Sequence, residues 1–114
     1  TDLQVALLDS LWQRGEATVR EVYEDQRDTL GLALKTVGTV LRRLEVQGIL
    51  EHREESRQFV YRARVTRDDV RDAVLRAAAD SLFDGSTAAL VLHALSVGDL
   101  RPDDIASIRD RLSG

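Results

Sequence analysis

Apolar side chains recur along the first part of the chain at the three- and four-residue spacing of a helix. The first stripe consists of Leu3, Leu7, Leu8, Leu11 and Trp12. Gly15 follows where a C-cap glycine is expected, so the pattern predicts a first helix over about residues 2–13.

A second helix is predicted by a capping signal. Thr18 and Glu21 have the spacing of a capping box, in which the hydroxyl and the carboxylate each accept from a backbone N–H of the first turn. We expect this helix to run to about Asp28, with inward side chains at Val19, Val22 and Tyr23. A short connection over residues 29–32 contains Gly31.

The next two segments have different periodicities. Residues 34–47 repeat the helical pattern, with an apolar stripe at Val37, Val40, Leu41 and Leu44, and Gly48 ends it. Residues 49–65 then alternate as in a hairpin: Phe59, Tyr61 and Ala63 against Val60, Arg62 and Arg64, with Glu55-Ser56 as a polar tip. Three helices followed by a hairpin is the winged-helix order, which places the third helix against a major groove and the hairpin, or wing, beside the phosphate backbone.

The remaining residues predict three more helices. Thr66 with Asp69 forms a second capping box, Ser86 caps a short apolar helix, and Pro102 suits the first turn of the last one. Because such an arm buries itself poorly alone, we expect it to pair with a second copy. The residues expected at that dimer interface are Val70, Val74, Ala77, Leu82, Leu90, Val91, Leu95, Ile105, Ile108 and Leu112.

The predicted fold is therefore mostly α, of the α+β kind. It consists of a winged helix-turn-helix DNA-binding head over residues 1–65 and a C-terminal three-helix dimerisation arm over residues 66–114.

Charge changes the picture only when it is examined locally. The whole chain carries a net charge of −4, which by itself argues against nucleic acid, yet residues 35–64 hold seven basic and four acidic side chains. The absence of cysteine excludes disulfides and thiolate sites. No apolar run is long enough to span a bilayer, and we expect a soluble, cytoplasmic protein.

Residues on the polar side of the third helix are candidates for DNA contact. Lys35, Thr39 and Arg42 point away from the apolar stripe, and Thr36, Gly38 and Arg43 flank them. Arginine can donate two hydrogen bonds to guanine, threonine can touch a phosphate or a thymine methyl, and lysine supplies charge to phosphates. Gly38 costs the helix about 1 kcal/mol relative to alanine, which close approach to the groove would explain. The alternative is a solvated helix face with a tolerated glycine.

Arginines also cluster on the predicted wing, at Arg53, Arg57, Arg62 and Arg64. Their guanidinium groups can pair with phosphates, and Arg57, nearest the tip, is the candidate for entering a minor groove. The alternative is a solvated strand edge that charge protects from aggregation.

No catalytic, metal or cofactor site is predicted. His52 and His93 are the only histidines, and neither has a carboxylate or thiol at ligand spacing. We expect both to be structural, and Trp12 to be a packing residue. Nucleophile triads, glycine-rich phosphate loops and paired catalytic carboxylates are missing from the sequence.

Four segments together resemble the penicillinase-repressor family, which includes methicillin-resistance and copper-responsive repressors. They are LLDSLWQRGEATVREVY, TVGTVLRRLEVQGIL, QFVYRARV and LFDGSTAALVLHAL. The resemblance implies a homodimeric winged-helix repressor that binds inverted repeats in promoters and dimerises through its C-terminal helices.

Two family features are replaced or missing. Antibiotic-responsive members are cleaved beside an Asn-Phe pair, and the matching place here is His93-Ala94. The Cys-x-Cys metal motif of copper-responsive members is absent. The sequence therefore names no upstream sensor or protease.

The predicted function is that of a bacterial transcriptional repressor that binds inverted-repeat operator DNA as a homodimer, through helix three and the wing. Half-sites are expected about one helical turn, roughly 10 base pairs, apart. One alternative is a winged-helix protein-interaction module that does not bind DNA. A small-molecule or metal-responsive regulator is a further reading, compatible with the first.

Overall fold

The computed structural model describes residues 2–114. Six helices and three short strands follow one another over these residues, which confirms the mostly helical winged-helix prediction. In order they are α1 (Asp2–Arg14), β1 (Ala17–Thr18), α2 (Val19–Leu30), α3 (Leu34–Val46), β2 (Leu50–Glu55), β3 (Gln58–Ala63), α4 (Arg67–Leu82), α5 (Thr87–Val97) and α6 (Pro102–Ser113).

Helix boundaries follow the capping chemistry of the sequence. Thr18 and Glu21 form the predicted capping box, with hydrogen bonds of 3.2 Å and 2.9 Å. Helix α2 ends at Leu30, two residues later than predicted, and Gly31 is its C-cap. Gly31 adopts a left-handed conformation (φ 65°), and its N–H donates to the carbonyl of Arg27, which extends the helix to Leu30.

The sheet contains one strand that the sequence pattern did not reveal. β1 pairs antiparallel with β3, joining Ala17 to Tyr61 and Thr18 to Val60, and gives the order β1-β3-β2. Two residues are too short for an alternation to be recognised. Val60, predicted to share the polar side of the wing with the arginines, is buried beside its cross-strand neighbours Thr18 and Arg53.

The hairpin turn lies one residue later than predicted. Glu55 pairs with Gln58 in the ladder, so Ser56 and Arg57 are the two turn residues rather than Glu55-Ser56. Both have positive φ angles, 51° and 64°, as a two-residue turn of type I′ requires.

One compact unit extends to Val70, and its helices and sheet share a single aliphatic core. The predicted inward stripes of α1 and α3 meet there. The fully buried large side chains of this unit are Leu7, Leu11, Val22, Val37, Leu41, Leu44 and Leu50. Trp12 packs at the edge of this core as predicted, and its indole N–H donates to the carbonyl of Val65 at 3.0 Å.

The second compact unit, Arg71–Gly114, contains most of α4 together with α5 and α6. The predicted caps at its helix starts are present: the Ser86 hydroxyl accepts from the N–H of Ala89 at 3.0 Å. Val70, placed in the dimerisation set from sequence, is half-buried against the core of the first unit. No helix among residues 2–114 has the length and apolar character to cross a membrane.

Candidate nucleic-acid interface

The third helix divides into a buried face and an exposed face. Its apolar stripe is buried in the first unit, and the candidate DNA-contact residues Lys35, Thr36, Thr39, Arg42 and Arg43 are all exposed. The Thr39 hydroxyl donates to the carbonyl of Lys35 at 3.0 Å, which leaves its methyl group and lone pairs available. None of the three cations of this helix forms an ion pair within residues 2–114.

Val46 extends this exposed face with an apolar side chain. It lies four residues after Arg42 and seven after Thr39, so it continues their stripe, and it is 80% exposed. The sequence pattern does not reveal this exposure, because Val46 belongs neither to the apolar stripe nor to the charged residues of the helix.

Gly38 is half-buried and lies at the junction of α3 with α2. A Cβ atom at this position would lie 3.5 Å from a methyl carbon of Val19, an ordinary van der Waals distance, so the space beside α2 would accept an alanine. Packing of the two helices therefore does not by itself require Gly38. The predicted closeness to DNA stays a prediction.

Two of the wing arginines are engaged by carboxylates. Arg53 donates to Glu16 at 2.5 Å and lies 3.2 Å from Glu55, and Arg62 donates to Glu51. The guanidinium of Arg53 holds the pKa of Glu16 below its ordinary value, and that of Arg62 does the same for Glu51.

The register of the hairpin explains the pairing of Arg62 with Glu51. Arg53 and Arg62 occupy the same face of the sheet, each opposite a residue of the neighbouring strand on that face, Val60 and Glu51. The other face carries His52 and Tyr61, which approach Glu45 of α3. The Arg53–Arg62 face is therefore turned away from the third helix, which sequence reasoning alone could not show.

Arg57 and Arg64 have different surroundings. Arg57, at the turn, is exposed and has no ion pair within residues 2–114, whereas Arg64 lies 4.0 Å from Glu51. Arg57 is therefore the wing arginine that keeps its charge for an outside partner.

A cluster of side chains connects the end of α3 to the wing. His52 Nδ1 is hydrogen-bonded to Glu45, and its ring stacks on Phe59 with a centroid distance of 3.8 Å. Burial raises the pKa of the neighbouring Tyr61 phenol, and the Glu45 carboxylate adds to this rise. His52 thus has the structural role that was expected of it, and the cluster connects α3 to the hairpin.

A cleft opens between the first turn of α2, the start of α3 and the wing tip. Its volume is about 380 Å³, and Arg20 and Arg57 both line it. Arg20 is exposed, without an ion pair within residues 2–114, and was missed because it lies outside the third helix and the wing. Within the described part of the chain, no group of three or more His, Cys, Asp or Glu side chains is arranged to hold a metal ion.

The family of this chain follows from its similarity to known proteins. The sequence profile of the penicillinase repressor family matches residues 1–114. The chain belongs to the penicillinase repressor family.

Individual relatives agree with this assignment. The penicillinase repressor of Bacillus licheniformis is 25% identical over 105 residues, covering 92% of this chain and 82% of the relative. The methicillin resistance regulatory protein MecI of Mammaliicoccus sciuri is 22% identical over 107 residues, covering 94% and 87%. The solution structure of the DNA-binding domain of the repressor BlaI covers 60% of this chain and 84% of its own, with 29% identity and a TM-score of 0.55.

These matches confirm the predicted family and the winged-helix fold. They place the chain among transcriptional repressors, a family whose members are not enzymes. The individual contact residues are not distinguished by them and stay predictions.

Proposed function

We propose that this repressor binds duplex operator DNA as a homodimer in the cytoplasm, with α3 in the major groove of each half-site. The carrying observation is the two-sided character of α3: its apolar side chains are buried, while its three cations are exposed and unpaired within residues 2–114. An unpaired exposed cation can replace the counterions of a phosphate without first breaking an internal ion pair.

Each exposed residue of α3 has a role suited to its chemistry. Arg42, at the centre of the stripe, is the candidate for a bidentate contact with guanine, and Lys35 and Arg43 supply charge to the backbone. Thr36 and Thr39 offer hydroxyl and methyl groups to phosphates or thymine. Val46, further along the stripe, can contact a thymine methyl or a sugar.

The wing contributes less than its arginine count suggests. Arg53 and Arg62 would have to exchange their carboxylate partners for phosphates, and these partners are already charged and close. Arg57 has no such competitor within residues 2–114. We therefore assign the DNA contact of the wing to its tip.

The second unit supplies the proposed dimer surface. Exposed large apolar side chains are concentrated there: Val74, Leu75, Leu82, Val91, Leu92, Leu95, Val97, Leu100, Ile105 and Leu112. A monomeric domain rarely leaves so many apolar side chains exposed together, and a second copy presents the same surface. Two copies related by a two-fold axis would match an inverted repeat.

Selection of duplexes from a random pool with the purified full chain tests the proposal directly. We expect recovery of an inverted repeat with half-sites about one helical turn, roughly 10 base pairs, apart. Binding should weaken steeply with salt. A pool without enrichment, together with salt-independent binding, would instead indicate a protein-interaction module.

Arg42→Ala tests the central contact. We expect a loss of about 1–3 kcal/mol in operator binding and a relaxed base preference at one position of each half-site. Arg27→Ala is the matched control, because Arg27 is exposed on α2 and lies near Asp28. Unchanged affinity and selectivity in Arg42→Ala would show that Arg42 does not make the proposed base contact.

Gly38→Ala tests whether the approach of α3 to the groove explains the glycine. The added methyl has an ordinary contact distance to Val19, so the folded protein should gain about 1 kcal/mol from helix propensity. If α3 also needs Gly38 for its approach to the groove, operator affinity will fall despite this gain. Unchanged affinity would show that the approach to the groove does not require Gly38.

A further inference from the structure

The cleft between α2 and the wing tip carries positive charge that no carboxylate of its lining compensates. Both arginines that line it, Arg20 and Arg57, are exposed and form no ion pair within residues 2–114. The contrasting cleft on the Arg53–Arg62 face, of about 270 Å³, contains Glu16 and Glu51 beside those arginines. Of these two clefts, the first alone has uncompensated positive charge.

The lining of the cleft can bind a polymer in which anionic groups alternate with less polar ones. Apolar side chains from three elements contribute to it, Val19, Leu34 and Phe59, and Thr18 and Gln58 add polar atoms. A phosphodiester backbone alternates a charged phosphate with a sugar whose C–H groups pack on apolar surface. A guanidinium can also donate two parallel hydrogen bonds to a phosphate.

The position of the cleft connects it to the recognition helix. Leu34, one of its lining residues, begins α3 and precedes Lys35. In helix-turn-helix proteins the N-terminal residues of the recognition helix contact base edges, so a strand of the duplex borders this end of the helix.

The backbone of the hairpin turn gives independent evidence for Arg57. Arg57 has a φ of 64°, a left-handed conformation that glycine or asparagine adopts more easily than arginine. The usual residue at this place of a type I′ turn is glycine. An arginine here lowers the stability of the turn, which is understandable if its side chain serves a partner.

We propose that Arg20 and Arg57 hold the phosphodiester backbone of the bound duplex in this cleft. The inference rests on the proposed function, and it extends the contact surface from α3 to the first turn of α2. It assigns to Arg57 a backbone contact in place of the predicted entry into a minor groove.

The test measures binding of the full chain to the duplex recovered by selection and to a scrambled duplex, over a series of salt concentrations. Arg20→Ala and Arg57→Ala should each weaken both duplexes by a similar factor and reduce the salt slope by about 1. The matched controls Arg27→Ala, on the same helix, and Arg53→Ala, on the same hairpin, should leave the slope nearly unchanged.

Two further measurements separate this role from others. Arg57→Gly should raise the stability of the fold and still weaken DNA binding, a combination that a structural role for Arg57 would not produce. A duplex with a single neutral methylphosphonate at the contacted position should bind the wild type less tightly and bind Arg20→Ala with little further loss.

Two results would overturn the proposal. Unchanged salt slopes in Arg20→Ala and Arg57→Ala, with a loss in Arg42→Ala, would reject the cleft and leave the major-groove function intact. Loss confined to A·T-containing duplexes on Arg57→Ala would restore the minor-groove role. Failure of the wild type to bind any duplex would instead reject the proposed function itself.

Discussion

Both compact units of this chain contain helices that carry apolar side chains, and the two units differ in how many of these side chains are exposed. Within residues 2–114, twelve of the thirteen buried apolar residues lie in the first unit, and Ala79 is the exception. Ten of the eleven exposed large apolar residues lie in the second, and Val46 is the exception. An apolar stripe on a helix therefore does not by itself show that the same chain buries it.

The contrast follows from the elements available in each unit. In the first unit, the stripes of α1, α2 and α3 converge on one another and on a three-stranded sheet, so one chain completes the core. The second unit has no strand, and its helices leave side chains such as Leu82 and Leu112 mostly exposed. We therefore expect the first unit to form its core within one chain and the second unit to bury its apolar side chains against a second copy.

Breaking the apolar surface of the second unit should have the largest effect. Val91→Asp with Leu95→Asp places two charges on one exposed stripe of α5, which would be buried in the proposed dimer. Loss of the dimer removes the simultaneous binding of two half-sites, so affinity for the inverted repeat should fall between about a hundredfold and ten-thousandfold. Fluorescence anisotropy with labelled duplex measures it.

The matched control is Ser96→Asp, which adds a charge to the same helix outside this stripe. It should retain most of the affinity. Equal affinities for the double variant and the wild type would show that the exposed apolar stripe does not unite two copies.

Removing a side chain from the first core comes next in size. Leu41→Ala empties a site whose side chain is 0% exposed, and the free energy of unfolding should fall by about 2–5 kcal/mol. Urea unfolding at one fixed protein concentration measures it. Val46→Ala, on the exposed face of the same helix, should change stability by no more than about 0.5 kcal/mol. Similar losses in both variants would contradict the two-sided character of α3.

Removing a helix cap should lower the free energy of unfolding by a similar amount in the two units. Thr18→Ala and Ser86→Ala each remove a hydroxyl that accepts a hydrogen bond from a backbone N–H, and each should lower stability by about 1 kcal/mol. Thermal unfolding of both variants measures the loss. Equal costs would show that the units differ in tertiary packing rather than in local helix chemistry, whereas a cost only in the first unit would indicate that α5 is not independently ordered.

The smallest effect should be a pH dependence in the first unit. Hydrogen bonds of 2.7 and 2.8 Å from Arg14 hold the pKa of Asp25 below its ordinary value, so this carboxylate stabilises the fold at neutral pH. That stability is lost as the pH falls below about 4 and through the lowered pKa. Asp25→Asn should therefore differ from the wild type at pH 7 and converge with it in acid. The control variant Asp28→Asn removes an almost fully exposed carboxylate, and its stability should match that of the wild type both at pH 7 and in acid.

Local sequence signals predicted most of the fold because they act between neighbours in the chain. The capping boxes at Thr18 and Thr66 and the glycine after α1 each satisfy backbone groups within a few residues, and all three are present. β1 escaped prediction because it depends on pairing with β3, more than forty residues later, and a two-residue strand has no readable period.

The candidate interface was predicted where it depends on neighbours in the chain, and it was missed where it depends on contacts between distant residues. The periodicity of α3 separated its exposed cations from its core, since both faces lie on one helix. The ion pairs of Arg53 and Arg62, and the shared cleft of Arg20 and Arg57, depend on hairpin register and on helix placement. Charge counted along the sequence cannot distinguish an arginine with a carboxylate partner from one without.

Sedimentation equilibrium of the purified full chain, free of DNA, tests most directly whether the second unit is completed by another copy. We expect a mass of twice the 12.7 kDa of one chain at micromolar concentrations, and the single-chain mass for the Val91→Asp/Leu95→Asp variant. A wild type that sediments at 12.7 kDa at every concentration where it binds the inverted repeat would contradict the division of roles between the two units.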